Sequence, residues 1–384
     1  MSAPPVPRSP RVLRRAVLGV ACAVAGGWAG AARPVVLLRF SHVVAPDTPK
    51  GQMALRFQAL VHERAEGRIR VEVFPDSQLW GDDDEMEALR LGAVEMLAPS
   101  LSKFGNAGVP EFEVFDLPYL FADLAQVRRV TQGAVGRGLL QRLGRQQMLG
   151  LGFLDNGFKQ MSATRALRTP ADFKGLRVRV QASRVLAAQM RALGARPVVL
   201  PFGETQRALA SGVVDAAENP LSNYLTQGLA PWQPHVTLTQ HGYLGYAVVS
   251  NPRFWASLAP ADRALLGSAL TDALAHGNRL SAALDQQALA TLRRTPGVML
   301  HQPGAAERAV LRRAVQPAWD GLRRSRGPRR RDGGEGARAA GVAADAADKA
   351  AELEPSLKPE LARGIFHAFH HRVKAALADG SRRV

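Results

Sequence analysis

Two arginines sit two residues apart in KGLRVRVQ, residues 174–181, and their spacing poses a chemical question. In a strand, successive side chains alternate between faces, so Val178 and Val180 share one side while Arg177 and Arg179 share the other. An unpaired guanidinium taken out of water costs several kcal/mol or more, so a core strand carrying two of them must meet anions or solvent. Other polar groups gather where strand-like runs end. Ser41 and His42 follow PVVLLRF, with Lys50 at the next helical run, and Ser100 and Ser102 follow AVEMLAP. Asn156 and Lys159 stand in LDNGFKQ, Asn219, Ser222 and Asn223 in AENPLSN, and His241 in TQHGYLGY. Loops after strands of an α/β sheet place such groups around one crevice, where several donors converge on an anion. Each residue also has a plainer reading. Ser41 or Ser100 caps a turn or helix, Asn219 is an N-cap before Pro220, and His241 is a hydrogen-bonded core histidine.

Catalytic and cofactor motifs are missing. No G-x-S-x-G elbow, H-E-x-x-H, Walker A loop or G-x-G-x-x-G fingerprint occurs, which argues against hydrolase, zincin and nucleotide readings. Asp82, Asp83 and Asp84 stand at a helix start, where charge complementing the helix dipole accounts for them better than metal binding. His367, His370 and His371 have helical spacing, but with no carboxylate or thiol beside them they read as a solvated patch. No cofactor and no metal are expected.

The chain has 384 residues, 46% of them hydrophobic and 22% charged, enough for two domains of ordinary size. A net charge of +17 raises nucleic acid as a partner, but two flanking segments look separate from the fold and carry much basic charge. Residues 1–32 place Arg8, Arg11, Arg14 and Arg15 before an apolar run that ends in small residues, the pattern of a secretory signal peptide cut near Ala32. That run is shorter than the roughly 20 residues of a spanning helix. Cys22, the only cysteine, lies inside it, so the mature chain is expected to have no thiol. Residues 325–384 begin with an Arg, Gly and Ala-rich stretch almost devoid of large apolar residues, and disorder is the expectation.

Between these flanks strand and helix signals alternate, which predicts an α/β fold with largely parallel sheets. A helical pattern runs from Pro260 to about Arg294, long enough to brace two lobes.

The same stretches resemble the extracytoplasmic solute receptors of tripartite ATP-independent periplasmic (TRAP) transporters, in their C4-dicarboxylate-binding, DctP-type branch. The resemblance rests on FSHVVAPDTPKG, VEVFPDSQLWGDDDEMEALRLGAVEMLAPSLSKFG, EFEVFDLPYLF, DNGFKQMSA, DFKGLRVRVQASRVLAAQMRALGA, ALASGVVDAAENPLSNY and HGYLGYAVV, in family order over nearly all of residues 33–324. It implies a two-lobed receptor of Venus-flytrap type with a long helix spanning both lobes. Lobe I would take residues 33–156 and 245–283, and lobe II residues 157–244 and 284–324. By similarity, Arg179 is the arginine that grips a ligand carboxylate with both prongs of its fork, Lys159 a second basic ligand residue, Asn219 an amide donor and His241 a polar cleft residue. Ser41, His42, Lys50 and Ser100 would face them from lobe I. The family reading implies a dicarboxylate ligand, a TRAP membrane permease as partner, sodium-driven uptake, a periplasmic location, a monomer and no chemical step. Its alternatives are a receptor for another organic acid, a sensor-coupled receptor, or an enzyme acting on a carboxylate. At Ser325 the likeness ends together with the change in composition, which suggests a shifted reading frame or a fused extension.

Overall fold

The computed structural model describes residues 35–326; the expected signal peptide, the histidine patch and nearly all of the basic tail lie outside the described residues. The chain opens with β1 (Val36–Ser41), α1 (Pro49–Arg64), β2 (Ile69–Phe74), α2 (Glu85–Leu91), β3 (Met96–Leu97), α3 (Leu124–Thr131) and α4 (Ala134–Arg142). It crosses into a second lobe along β4 (Leu149–Ala163) and continues through α5 (Pro170–Phe173), β5 (Arg177–Val180), α6 (Arg184–Ala192), β6 (Arg196–Val199), α7 (Thr205–Ala210), β7 (Ala216–Asn219) and α8 (Leu221–Thr226). The return runs along β8 (His235–Ser250) to α9 (Pro252–Ser257), followed by α10 (Pro260–Leu292), β9 (Met299–His301), α11 (Ala305–Ala314) and α12 (Gln316–Arg326).

One sheet links everything, in the order β2-β1-β3-β8-β4-β7-β5-β6 with β9 on β8. The outer pairs are parallel, as expected. The centre is not: β3 with β8, β4 with β8 and β4 with β7 are antiparallel, so the sheet is mixed. The correction comes from β4 and β8, whose 15 and 16 residues pass through both lobes. Register shifts near Gly150, Gly157 and Lys159 interrupt their side-chain alternation, which hides two long strands in the sequence. Gly157 has φ +153 at one of these shifts, a conformation that strains a residue with a Cβ.

Each lobe packs apolar side chains on both faces of its share of the sheet. In the first lobe Leu154, Tyr246 and Val248 join α1 and α10 in one cluster, while Phe153, Ala247 and Val249 join Phe112 and Phe115 in another. In the second lobe Val178, Val180, Leu186 and Met190 form one core with Leu311 and Val315, and Val236 and Leu238 form another with Ala288 and Leu292. Helix α10 therefore spans both lobes. It buries Leu266 and Leu270 in the first and Leu292 in the second, at about 1.5–3 kcal/mol for each leucine.

Helix α1 is the element that brings a lysine to the sheet's edge loops. Thr48 caps it, its Oγ1 accepting the Gly51 N–H at 3.2 Å, and Pro49 supplies the first turn where no amide donor is needed. A Cβ on Gly51 would stand 2.5 Å from the Ala45 carbonyl oxygen and 2.4 Å from that of Pro46. Gly51→Ala is expected to destabilise the protein by about 1–3 kcal/mol, read as a lower denaturation midpoint at unchanged m-value.

Candidate ligand-binding site

Strand β5 resolves the two arginines into different roles. Val178 and Val180 point into the second lobe's core and are fully buried, which turns Arg177 and Arg179 to the opposite face. Arg177, at the strand's start, makes a two-pronged pair with Asp215 at 2.9 and 2.6 Å and stays 43% exposed, a peripheral salt bridge. Arg179 is 1% exposed. Its Nε and Nη2 both donate to the Leu200 carbonyl oxygen, at 3.0 and 2.8 Å, and its guanidinium stands 6.0 Å from the Phe202 ring. No carboxylate among the described residues is within ion-pair distance of it. Burial pulls its pKa down, and the more distant charges of Asp82 and Glu218 work against that shift.

Arg179 lines a partly open cavity of about 20 Å³, room on that measure for one or two waters. Both lobes line it. Lys50, Asp82, Ser100 and Tyr246 come from the first, and Lys159, Gln181, Phe202, Glu218 and Asn219 come from the second. Five of the expected residues thus meet: Arg179, Lys159, Asn219, Lys50 and Ser100. The Asn219 amide nitrogen is buried without a hydrogen-bond partner, a donor available to a guest.

The remaining three stand behind the wall. Ser41 and His42 are fully buried at the end of β1, and the Ser41 Oγ has no partner. Burial, reinforced by the charge of Lys50, pushes His42 down to about 3, so its ring is neutral at physiological pH. His241 is a hydrogen-bonded core histidine. Its Nε2 lies 2.9 Å from Glu218 Oε2 and its Nδ1 lies 2.7 Å from Thr239 Oγ1, which fixes the back of the Glu218 carboxylate.

Charge pairing divides the cations of the site. Lys159 Nζ donates to Glu218 Oε1 at 2.7 Å with both side chains at most 2% exposed, so Lys159 already has its anion. Burial by itself would raise the Glu218 pKa, but Lys159 and His241 outweigh it and hold the carboxyl at about 2. Lys103 is likewise matched, by Asp82 at 2.6 Å and by Glu85. Lys50 differs. Its Nζ donates to the Ala98 carbonyl at 3.0 Å and rests 3.9 Å above the Tyr246 ring, with no carboxylate in direct contact. Burial lowers it to about 8 despite the opposing charges of Glu85 and Asp82. Among the described residues, the two cations lining the cavity without a contact anion are therefore Arg179 and Lys50, one from each lobe.

The acidic run does start a helix, with Asp84 at the N-cap of α2 and Glu85 and Glu87 in its first turn, but Asp82 instead binds Lys103 and accepts the Phe202 amide N–H from the other lobe. Glu218 and Tyr246 were also missed. For Glu218 a signal existed, because a carboxylate one residue before Asn219 in a buried strand requires a buried cation.

Comparison with known proteins gives a consistent picture. A family model described as bacterial extracellular solute-binding protein, family 7, matches residues 40–325, ending where the composition changes. The C4-dicarboxylate-binding periplasmic protein DctP of Rhodobacter capsulatus is 47% identical over 81% of this chain and 93% of its own. A TRAP periplasmic solute-binding protein of Shewanella oneidensis, solved with bound succinate, superposes with a TM-score of 0.74 at 37% identity, covering 87% of this chain and 99% of its own. One from Pseudomonas aeruginosa, solved with bound L-malate, has a TM-score of 0.73 at 40% identity, covering 74% and 99%.

Removing one member of the buried Lys159 pair tests how the wall is held. Glu218→Gln is expected to cost about 3–5 kcal/mol by chemical denaturation, because it strands a buried ammonium. Adding Lys159→Met to that variant should restore much of the loss.

Proposed function

The chain belongs to the bacterial extracellular solute-binding proteins of family 7, and on that footing we propose that it is a TRAP receptor that captures a C4-dicarboxylate. One observation carries the reading: Arg179 is buried in a cavity lined by both lobes and, among the described residues, has no carboxylate in ion-pair contact. Its planar fork suits a carboxylate held by two parallel hydrogen bonds, a geometry that Lys cannot copy. Lys50 is the cation for the second carboxylate, Asn219 and Ser100 supply neutral donors, and the Lys159–Glu218–His241 array is the rigid wall behind them. Ser41 and His42 support the Lys50 side. The names of the Rhodobacter relative and the ligands of the Shewanella and Pseudomonas structures support the diacid class.

Capture follows from geometry without a chemical step. A diacid that touches Arg179 in one lobe and Lys50 in the other binds best when both are close, so it shifts the population toward the closed form. In this reading lobe I comprises residues 33–156 and 245–283 and lobe II residues 157–244 and 284–324. The closed surface is presented to a membrane permease for sodium-driven uptake, with the receptor working as a monomer in the periplasm after its signal peptide, residues 1–32, is removed. No helix among the described residues is long and apolar enough to cross a membrane.

Calorimetric titration with succinate, fumarate and L-malate is expected to show binding, with lactate much weaker. Arg179→Ala should cost about 2–5 kcal/mol of affinity. A folded protein that binds lactate as well as the diacids would refute the two-cation reading. Affinity should also fall as pH rises through about 8, since Lys50 in the free protein loses its proton there and binding must restore it. In Lys50→Met that fall should disappear along with most of the affinity.

A further inference from the structure

An ionised carboxylate in the wall of an anion cavity opposes its guest by Coulomb repulsion, so Asp82 needs a reason to be there. Both of its oxygens are committed. Oδ1 holds Lys103 Nζ at 2.6 Å, and Oδ2 accepts the Phe202 amide N–H. Lys103 is fixed from its other side by Glu85, which is 1% exposed, so the Asp82 carboxylate has one orientation. The amide it grips belongs to the same short stretch, residues 200–202, on which Arg179 leans. The Leu200 carbonyl accepts Arg179 Nε and Nη2, and the Phe202 ring lies beside the guanidinium.

We propose that Asp82 is a positioning residue for the Arg179 clamp: from the first lobe it fixes residues 200–202 of the second, and so the guanidinium, only when the lobes are together. The inference rests on the reading of Arg179 as the anion's anchor. The bonds from Arg179 to Leu200 lie wholly within the second lobe and survive opening. The bond from Phe202 to Asp82 crosses between lobes and does not. Val43 and Val44 of the first lobe pack on the Phe202 ring in the same place, so closure both dries and registers this stretch. Asp82 thereby contributes to the closed form alone, and its repulsion of the ligand is muted by Lys103.

The test reads lobe separation and affinity independently. Spin labels go on Leu91→Cys and Val199→Cys, 76% and 53% exposed in the first and second lobes, in a chain also carrying Cys22→Ser. In ligand-free protein, Asp82→Ala should shift the distance distribution toward longer separations. Succinate affinity should fall about 10–100-fold, mostly through faster dissociation. Asp82→Asn keeps an oxygen that can accept the Phe202 N–H and should recover a large part of both effects, which a purely structural lesion would not show. If Asp82→Ala does not fold, the Asn variant carries the comparison and should shift the distances partway. An unchanged distance distribution, or a variant that binds the diacid as tightly as the parent or more tightly, would overturn the proposal and leave Asp82 as a repulsive charge. Should the unaltered protein bind no diacid while Asp82→Ala still opens it, the positioning role stands and the dicarboxylate reading falls.

Discussion

A guanidinium removed from water, with no contact carboxylate among the described residues, is the constraint on which the cavity between the lobes depends. Such a group is tolerable only where the surrounding polarity is fixed in advance, and Arg179 meets that condition through one doubly used carbonyl, an aromatic neighbour and two carboxylates held beyond contact. A directly paired arginine would be more comfortable but would keep no prong of its fork for another anion. Arg177 shows the alternative two residues away: satisfied by Asp215, half in solvent, and closed to any other partner.

The same logic sorts the other charges. Lys159 with Glu218, and Lys103 with Asp82 and Glu85, are closed accounts whose ions were desolvated together. They give the cavity shape and a fixed potential, and leave Arg179 and Lys50 as its cations without a contact carboxylate among the described residues. The Lys159–Glu218 pair is a firm one, since the Glu218 carboxyl is held at about 2 and stays charged across the physiological range.

Much of this was legible in the sequence, and the failures have physical causes. Helix α10 was visible because Leu265, Leu266, Ala269, Leu270, Ala273 and Leu274 recur at helical spacing with no proline between Pro260 and Arg294, and β5 because RVRV alternates cleanly. The long strands β4 and β8 were not, because their bulges shift the alternation every few residues. Strand type at Arg179 follows from spacing, so its outward face was legible; its lack of a partner depends on where Asp82 and Glu218 end up, which no local pattern encodes. The resemblance implies Lys159 as a second basic ligand residue; its contact with Glu218, 59 residues away, forms through the pairing of β4 with β7 and was not legible in any local pattern. His241, by contrast, was open to two readings, and the plainer one describes its contacts.

The crossings between lobes also govern how the chain can acquire its structure. The first lobe's core needs Tyr246 and Val248 from β8 and Leu266 to Ala273 from α10, and one of the second lobe's cores needs Leu311 and Val315. A ribosome that has released only the first 240 residues has released no complete core for the N-terminal lobe. Sequence-distant contacts of this kind make folding slow and late. A chain that folds late remains threadable for longer, which is the state a translocation channel requires.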